Sequence, residues 1–428
     1  MKSNTQNAKI KSITEKTLVV GIDVGSETHF ARAFDWRNYE YSKKPLEFSN
    51  SKAGFATFQA WMEELAAKHG KDVVIPGMEP TGHYWFNLGV YLQDNGMRPV
   101  HVNPHHVKKS KELDDNNPNK NDRKDPKTIA ALVNEGRFSY PYIPTGIYAE
   151  IRSLSNLRLQ TQEEITRIKN RLARWFSIYF PEIKDVYKNP ESVSGLMILK
   201  EAPLPQDIVK LGVDGINQIW REAKLRAVGP KRAKSLLTAA EHSIGNQEAP
   251  ESARIELRNL LNDYEVYRKR EDELMEILKK KLSEIPYIDK LLEIKGIGFK
   301  TVSGFLAEVG DITRFDNPKQ LQKLAGYAIV ECSSGKHKGE SHISYRGRKR
   351  LRYVLYEAAI SLIAKNAAFR EVHRYYQTRK ENPLKKMQSV IAVACKVLRI
   401  FYAILTKGVT YDEEKMLRDI HRPQMHAA

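Results

Sequence analysis

A run of apolar residues, Leu18 to Val24, contains a single carboxylate, Asp23. A short apolar run of this kind, ended by Gly25 and Ser26, predicts a buried strand followed by a turn. A carboxylate in a buried strand is costly unless it is paired or bound to a metal ion. The run therefore predicts a sheet in which one strand carries a chemically active side chain.

Residues 18–140 alternate predicted strands with predicted helices. We expect further strands at 28–34, 39–48, 73–78 and 98–102, and helices at 55–68, 84–95 and 126–135. This alternation predicts a mixed sheet in an α/β layer fold. Residues 104–124 are polar, basic and without a regular pattern, which predicts a loop, and residues 1–17 are expected to form a flexible N-terminus.

The remainder of the chain is predicted to be mainly helical. Residues 149–287 contain two long amphipathic patterns, which either pair as an antiparallel coiled coil or belong to an ordinary helical bundle. Residues 141–146 read as a linker before them. Residues 288–408 form the last predicted domain, in which Gly296-Ile297-Gly298 joins two helices as in a helix-hairpin-helix. Residues 409–428 are predicted to be a polar, disordered tail.

The charge of the chain predicts a polyanionic partner. The 428 residues include 70 Lys and Arg against 52 Asp and Glu, a net charge of +18, which is typical of proteins that bind nucleic acid. The two cysteines, Cys332 and Cys395, indicate neither a disulfide framework nor a zinc site. The N-terminus lacks an apolar signal core, and no apolar run approaches the ~20 residues that span a bilayer. We therefore predict a cytoplasmic, nucleoid-associated protein with no membrane partner.

Four carboxylates in the first third of the chain are candidates for metal-dependent chemistry. Glu79 follows a predicted strand, as Asp23 ends one, and Asp122 and Asp125 lie three residues apart before a predicted helix. Phosphoryl transfer commonly uses carboxylates that converge on divalent cations, and Mg²⁺ prefers oxygen ligands. Structural roles are the alternatives: Asp23 could cap the following turn, Glu79 could pair with a surface lysine, and Asp125 could be an N-cap.

A second candidate is Ser334, which precedes Gly335 in a basic segment. A loop serine followed by several cations could attack a phosphodiester, while the cations stabilise the charge that develops on the phosphate. The alternative is a polar turn before a DNA-binding helix. Cys332 is a rival nucleophile, although nothing in the sequence pairs it with a base.

An ordered set of short motifs resembles a known family. In chain order these are Gly21-Ile22-Asp23-Val24-Gly25, Glu79 to Tyr84, Val102-Asn103-Pro104, Lys120 to Asp125, Gly296-Ile297-Gly298, Ala325-Gly326, Ser334-Gly335 and Leu351-Arg352. The set is similar to the DEDD transposases of the insertion-sequence one-ten family, over residues 18–140 and 288–408. The combination and its order carry the resemblance, because each motif alone is common.

The resemblance implies an RNase H-like, RuvC-like N-terminal domain, a coiled-coil connector and a mainly α-helical transposase domain. It implies recombination of donor and target DNA guided by a structured bridge RNA that pairs with both. Asp23, Glu79, Asp122 and Asp125 would hold Mg²⁺ or Mn²⁺, and Ser334 would form a covalent link to DNA. The active site would be composite within a homo-tetramer, a dimer of dimers.

Two alternatives to this function stay open. One is a RuvC-like, structure-selective nuclease that cuts DNA with activated water, and the other is a non-enzymatic basic scaffold for nucleic acid. Under each reading we expect basic side chains to contact nucleic acid, and these are Lys108, Lys109, Lys124, Arg171, Arg174, Lys295, Lys300, Lys336, Arg346, Arg348, Lys349 and Arg352.

Overall fold

The computed structural model describes residues 6–42, 44–114, 125–226, 228–330, 333–334, 337–338 and 342–421. The chain divides into two compact units, residues 1–144 and residues 145–428. The division falls within the stretch 141–146, whose composition predicts a linker. Each unit is described by itself below.

The described residues of the N-terminal unit form a six-stranded mixed sheet. Its strands are β1 (Thr17–Asp23), β2 (Thr28–Phe34), β3 (Leu46–Ser49), β4 (Val73–Met78), β5 (Val100–Val102) and β6 (Phe138–Ser139). Their order is β3-β2-β1-β4-β5-β6. Strands β1, β4 and β5 are parallel, whereas β2, β3 and β6 each run antiparallel to their neighbours. The predicted mixed α/β sheet is confirmed, with β6 as an additional edge strand.

Helices cover both faces of this sheet. They are α1 (Gln6–Lys11), α2 (Lys52–Lys68), α3 (Trp85–Asp94), α4 (Pro104–Asp114) and α5 (Asp125–Asn134). Leu18, Val20 and Ile22 of β1 share one core with apolar residues of α2 and α3. Val19 lies in a second core with Ile129 and other residues of α5. Strand β1 is thus buried on both faces, as its continuous apolar run predicts.

Two segments of this unit are more regular than the sequence predicts. Residues 6–17, predicted to be flexible, include α1 and the start of β1, because Ile13 is buried in the α5 core and the Gln6 amide donates to the carbonyl of Glu135 at 2.9 Å. Residues 104–114, predicted to be part of a loop, form α4. The Asn103 side chain accepts the His105 N–H at 2.9 Å, and Val107 is fully buried.

The C-terminal unit begins with two long antiparallel helices, α6 (Gly146–Tyr179) and, further along the chain, α11 (Pro250–Leu282). Between them lie α7 (Ile183–Val186), α8 (Val193–Glu201), α9 (Pro205–Glu222) and α10 (Pro230–Glu241). The Trp175 indole near the end of α6 donates to the carbonyl of Ala253 near the start of α11 at 3.0 Å. Trp175 shares its core with residues of α8, α9 and α10. The two helices therefore run antiparallel, and around Trp175 the packing is that of a helical bundle, the alternative to a coiled coil.

The remaining elements surround a separate helical core. They are α12 (Ile288–Leu292), α13 (Phe299–Val309), a 3-10 helix (Ile312–Arg314), α14 (Pro318–Leu324), β7 (Ile329–Val330), β8 (Ser333–Ser334), β9 (His337–Lys338), β10 (His342–Ile343), α15 (Lys349–Lys365), α16 (Ala367–Thr378), α17 (Lys386–Lys407) and α18 (Glu413–His421). Phe305, Leu355 and Phe401 lie at the centre of this core. The predicted turn between two helices at Gly296-Ile297-Gly298 is present between α12 and α13.

The last two helices differ from their predictions. In the described part of the chain, α17 is the one helix that is long and apolar enough to cross a membrane by length and composition, and half of its most apolar window is buried. Val393 and Phe401 of this helix lie in the core, which accounts for its apolar composition. Residues 413–421, predicted to be part of a disordered tail, form α18 because Met416 is buried against the same core.

Candidate active site

Asp23 and Glu79 lie side by side at the carboxyl ends of two parallel strands. Strands β1 and β4 pair in a register that places Ile22 opposite Met78. Asp23 is the last residue of β1 and Glu79 directly follows β4, and neighbouring strands are about 4.8 Å apart. Ile22 and Met78 both pack into the α2 and α3 core. Because side chains alternate along a strand, Asp23 lies on the opposite face, toward α5.

Two glycines allow α5 to approach this face of the sheet closely. A Cβ on Gly21 would lie 1.8 Å from the carbonyl oxygen of Pro126, and one on Gly77 would lie 2.6 Å from a methyl group of Val133. The first turn of α5 therefore contacts the backbone of β1 two residues before Asp23. Asp125, at the start of this helix, is consequently held at the same end of the sheet as Asp23 and Glu79.

The electrostatics of Glu79 show that Asp125 and Lys111 are near it. Burial raises the pKa of Glu79 above its ordinary value, the positive charge of Lys111 lowers this pKa, and the negative charge of Asp125 raises it further. The Lys111 ammonium also donates to a carboxylate oxygen of Asp125. The Asp125 side chain is 13% exposed and that of Lys111 is 37% exposed. Lys111 is thus the counter-charge of a partly buried pair of carboxylates.

The fit of this site to a metal ion is incomplete within the described ranges. Among those residues, no group of three or more His, Cys, Asp and Glu side chains is arranged to hold a metal ion. Asp122, the fourth predicted ligand, lies outside the described residues. Asp23, Glu79 and Asp125 lie at one end of the sheet, but Lys111 is bonded to Asp125. A complete set of ligands therefore requires Asp122, the release of Asp125 from Lys111, or both.

Sequence reasoning missed Lys111, which the structure places among the carboxylates. Lys111 follows Val107 by four residues on α4, so the two side chains share a face of that helix. Val107 is fully buried against the α5 core. The spacing of four residues between Val107 and Lys111 could have placed this lysine near the site. Using that spacing requires a helix to be assigned at 104–114, where the polar composition predicts a loop.

Ser334 belongs to a small strand pair in the C-terminal unit. Its backbone lies in β8, where Ser334 pairs with His337 of β9. The side chains of this segment, together with Lys336 and Gly335, lie outside the described residues. Nearby, Gly326 has a φ of +74° and is in contact with Gly347, where an added Cβ would lie 2.4 Å from the Gly326 nitrogen. This close backbone contact closes the base of the segment that carries the serine.

Several of the predicted nucleic-acid contacts bond other groups of the protein, and several are exposed. Arg348 donates to the carbonyl of Glu308, Arg352 donates to the carbonyl of Ala325 at 3.0 Å, and Lys300 bonds the buried carboxylate of Glu271 at 3.0 Å. Arg348 and Arg352 are thereby held within the protein, whereas the Lys300 side chain remains 59% exposed. Lys124 and Lys336 lie outside the described residues. The others are exposed, and they are Lys108, Lys109, Arg171, Arg174, Lys295, Arg346 and Lys349.

Comparison with known proteins gives two family matches. Residues 20–181 match the transposase family model named for DEDD transposases of IS110, and residues 288–376 match the transposase family IS116/IS110/IS902. The first match includes the carboxylates Asp23, Glu79, Asp122 and Asp125, and the second includes Ser334. Together the two matches cover more than half of the chain.

Individual relatives agree with these matches. The chain is 24% identical to the transposase for insertion sequence element IS1111A of Coxiella burnetii, over 78% of each chain. It is 23% identical to the insertion element IS116 protein of Streptomyces clavuligerus, over 67% of this chain and 71% of the relative. It is 31% identical to the pilin gene-inverting protein of Moraxella bovis, over 29% of this chain and 38% of the relative. The chain belongs to the IS110 family of transposases, which are recombinases that act on DNA.

Proposed function

We propose that this transposase cuts and joins DNA strands through a metal centre on the N-terminal sheet and a covalent link to Ser334. One observation carries the first part of this proposal. Close packing of α5 on Gly21 and Gly77 holds Asp125 at the end of the sheet that bears Asp23 and Glu79, where its charge raises the pKa of Glu79. Burying like charges together is costly unless a cation balances them.

Mg²⁺, or Mn²⁺ in its place, is the cation that we propose for this centre, with Asp23, Glu79, Asp122 and Asp125 as its ligands. A bound Mg²⁺ would supply Lewis-acid stabilisation of the charge that develops on the scissile phosphate. Lys111 already supplies one positive charge among the carboxylates, so a metal ion would take its place beside Asp125. The sheet order β3-β2-β1-β4-β5, with β1 and β4 parallel, supports an RNase H-like, RuvC-like fold for this unit.

The covalent step assigned to Ser334 begins with attack of its hydroxyl on the scissile phosphate. The hydroxyl oxygen forms a bond to phosphorus, the bond between phosphorus and the leaving strand oxygen breaks, and that oxygen departs with a proton. A hydroxyl of a second strand then attacks the phosphoserine link and restores the serine. Because the energy of the phosphodiester is kept in the link, joining needs no nucleotide cofactor.

We further propose that a bridge RNA selects the donor and target DNA and that a homo-tetramer, a dimer of dimers, performs the exchange. Within it, carboxylates of one subunit would act with Ser334 of another. The net charge of +18 and the exposed Lys and Arg side chains support a large nucleic-acid surface. A coiled coil of α6 and α11 as the connector belongs to the same proposal, supported by their antiparallel pairing.

Strand cleavage on a DNA junction tests the metal centre. We expect Asp23→Asn and Glu79→Gln to abolish cleavage in Mg²⁺ while DNA binding persists. Asp94→Asn, which neutralises an exposed carboxylate on α3, is the matched control and should cleave normally. Full cleavage by Asp23→Asn, or cleavage unchanged by chelation, would overturn the metal centre on these carboxylates.

A serine pair tests the covalent step. Ser334→Ala should lose both protein–DNA adducts and strand exchange, and Ser333→Ala, its neighbour on the same short strand, should keep them. If Ser334→Ala still cleaves fully without adducts, the nuclease that uses activated water is the correct function. Sequencing of RNA that copurifies with the wild-type protein tests the bridge RNA, and we expect one discrete species with segments complementary to donor and target.

A further inference from the structure

A basic cleft lies in the C-terminal unit between helices α6, α13 and α15. Its volume is about 680 Å³, within the range of sites that hold small ligands. Four cationic side chains line it, together with two carboxylates. The cations are Arg158 of α6, Lys300 of α13, and Lys349 and Arg350 of α15. Positive charge therefore predominates in a half-open cleft that the proposed chemistry does not use.

Two helix N-termini meet at this cleft and add to its positive potential. The first turns of α13 and α15 supply Lys300 and Lys349 to its lining. Neither helix has a side chain that caps its N-terminus, and neither has an acidic residue in its first turn. The free N–H groups and the helix dipole favour an anion at such an end. The N-termini of α13 and α15 therefore both favour an anion in this cleft.

One cation in this cleft, Arg158, is not fully compensated by the protein. The Arg158 side chain is 14% exposed, and its buried Nε has no hydrogen-bond partner. Its nearest carboxylate, Glu271, is 3.9 Å away and is also bonded to Arg268 and Lys300. Burial lowers the pKa of Arg350, Glu308 raises it, and the neighbouring Arg158 lowers it. An anion in the cleft would satisfy the guanidinium and relieve this crowding.

An aromatic side chain completes the lining. Tyr353 is 57% exposed, and its hydroxyl donates to Glu357 at 2.8 Å. The hydroxyl is therefore fixed on one side while much of the ring is open to solvent. Cations interleaved with an exposed aromatic ring are typical of proteins that bind single-stranded nucleic acid, where phosphates pair with the cations and a base stacks on the ring.

We propose that this cleft binds the sugar–phosphate backbone of a single nucleic-acid strand, with a base stacked on Tyr353. The inference rests on the proposed function, because it assigns a second place where a strand is held, apart from the carboxylate centre. Phosphates occupy the space between Arg158, Lys300 and Lys349. The recognition does not depend on sequence, since phosphate and stacking contacts are common to all bases.

A pair of lysines on one helix gives a matched test. Lys349 begins α15 in the cleft, and Lys365 ends the same helix, about 24 Å away by helix geometry. Both are exposed, so Lys349→Gln and Lys365→Gln remove the same charge without disturbing a core. Fluorescence anisotropy would measure binding of labelled DNA and RNA strands of about eight nucleotides, a single-site length, across a range of salt concentrations.

We expect Lys349→Gln to weaken binding several-fold and to reduce the slope of log K against log salt by about 0.7, the value for one phosphate contact on a single strand. Lys365→Gln should bind as the wild type does. Tyr353→Leu should weaken binding roughly 5-fold to 100-fold through lost stacking, whereas Tyr353→Phe keeps the ring and should not. Weaker binding of Lys349→Gln and Tyr353→Leu to DNA, to RNA or to both supports the proposal and shows which kind of strand the cleft holds.

Two outcomes separate failure of the cleft from failure of the proposed function. If Lys349→Gln and Lys365→Gln bind each kind of strand equally well, and Tyr353→Leu binds normally, the cleft proposal is wrong. The proposal of the carboxylate centre would not be affected. Loss of Mg²⁺-dependent cleavage in Asp23→Asn, measured beside it, would then still support the proposed chemistry. If the wild-type protein binds neither strand, the cleft proposal is wrong, and the cleavage assay alone decides the proposed chemistry.

Discussion

Substitution of Gly21 by alanine tests the packing that brings the carboxylates together. A Cβ at this position would lie 1.8 Å from the Pro126 carbonyl oxygen, about 1.6 Å inside the 3.4 Å of ordinary contact. The obstacle is the backbone of α5, which cannot rotate away as a flexible side chain could. Overpacking a core costs about 1–3 kcal/mol, occasionally more. We therefore expect Gly21→Ala to lower the free energy of unfolding of the N-terminal unit by about 3 kcal/mol.

The same substitution should impair catalysis in protein that remains folded. If α5 moves away from β1, Asp125 moves with it, and a misplacement of about 1 Å at a reacting centre can reduce a rate about 100-fold. Urea denaturation, monitored by hydrogen exchange of peptides from β1 and α5, reports the stability of this unit alone. The rate of strand cleavage is measured on a DNA junction without urea, at a temperature at which the variant is folded.

Gly70→Ala is the control for Gly21→Ala. Gly70 has a φ of +62° and no atom within 4 Å of an added Cβ, so its substitution costs only the strain of a left-handed residue, about 1 kcal/mol. It should leave cleavage unchanged. A Gly21→Ala protein as stable and as active as the wild type would refute the close packing of α5 on β1, and with it the meeting of the carboxylates.

Three further predictions concern buried ionisable groups. Burial lowers the pKa of His101 to about 4 from 6.5, so the unfolded chain takes up a proton before the folded one, and the N-terminal unit should lose stability as pH falls from about 6.5 to 4. His101→Phe should weaken that dependence and leave the part due to His29, whose pKa burial also lowers; an unaltered pH profile would contradict the burial of His101. Burial raises the pKa of Cys395 to about 11, so in a Cys332→Ser background alkylation at pH 8 should be slow until urea unfolds the protein; rapid labelling of the folded protein would oppose this. Glu271→Gln should destabilise the C-terminal unit by about 2 kcal/mol, less than the 3–5 kcal/mol of a fully buried pair because Lys300 is 59% exposed; no change in urea midpoint would show that Glu271 is dispensable.

The sheet of the N-terminal unit could be predicted because its strands carry strong local signals. The apolar run ending at Asp23 and the alternation at 28–34 each depend on neighbouring residues alone, and both strands form as expected. Strand β6 could not be predicted in this way, since it has two residues, Phe138 and Ser139, and exists only through pairing with β5. This strand depends on a tertiary contact, and no pattern among neighbouring residues predicts it.

The helices that were missed have the same physical origin. The α4 segment is polar enough to read as a loop, but Val107 fills a place in the α5 core, and burial of one side chain outweighs a weak local preference. In α18, Met416 has that role. The converse holds for α17, whose apolar composition reflects its position in a core rather than an environment of lipid.

The candidate site was predictable in its residue types but not in its contacts. A carboxylate after each of two strands indicates a common edge only if the strands are parallel neighbours, and the register of Ile22 with Met78 supplies that fact. From composition and spacing alone, all basic residues near Ser334 are equal candidates for contact with nucleic acid. The structure separates them, because Arg348 and Arg352 bond backbone carbonyls of the protein, whereas Lys349 remains exposed.

An anomalous difference map from crystals soaked in Mn²⁺ would test the metal centre most directly. We expect a peak at the carboxyl ends of β1 and β4, within bonding distance of Asp23 and Glu79, with the Lys111 ammonium displaced from Asp125. The peak should be absent from Asp23→Asn crystals treated in the same way. A well-ordered N-terminal unit with no peak beside Asp23 and Glu79, or with manganese bound elsewhere, would contradict a metal-dependent recombinase built on these residues.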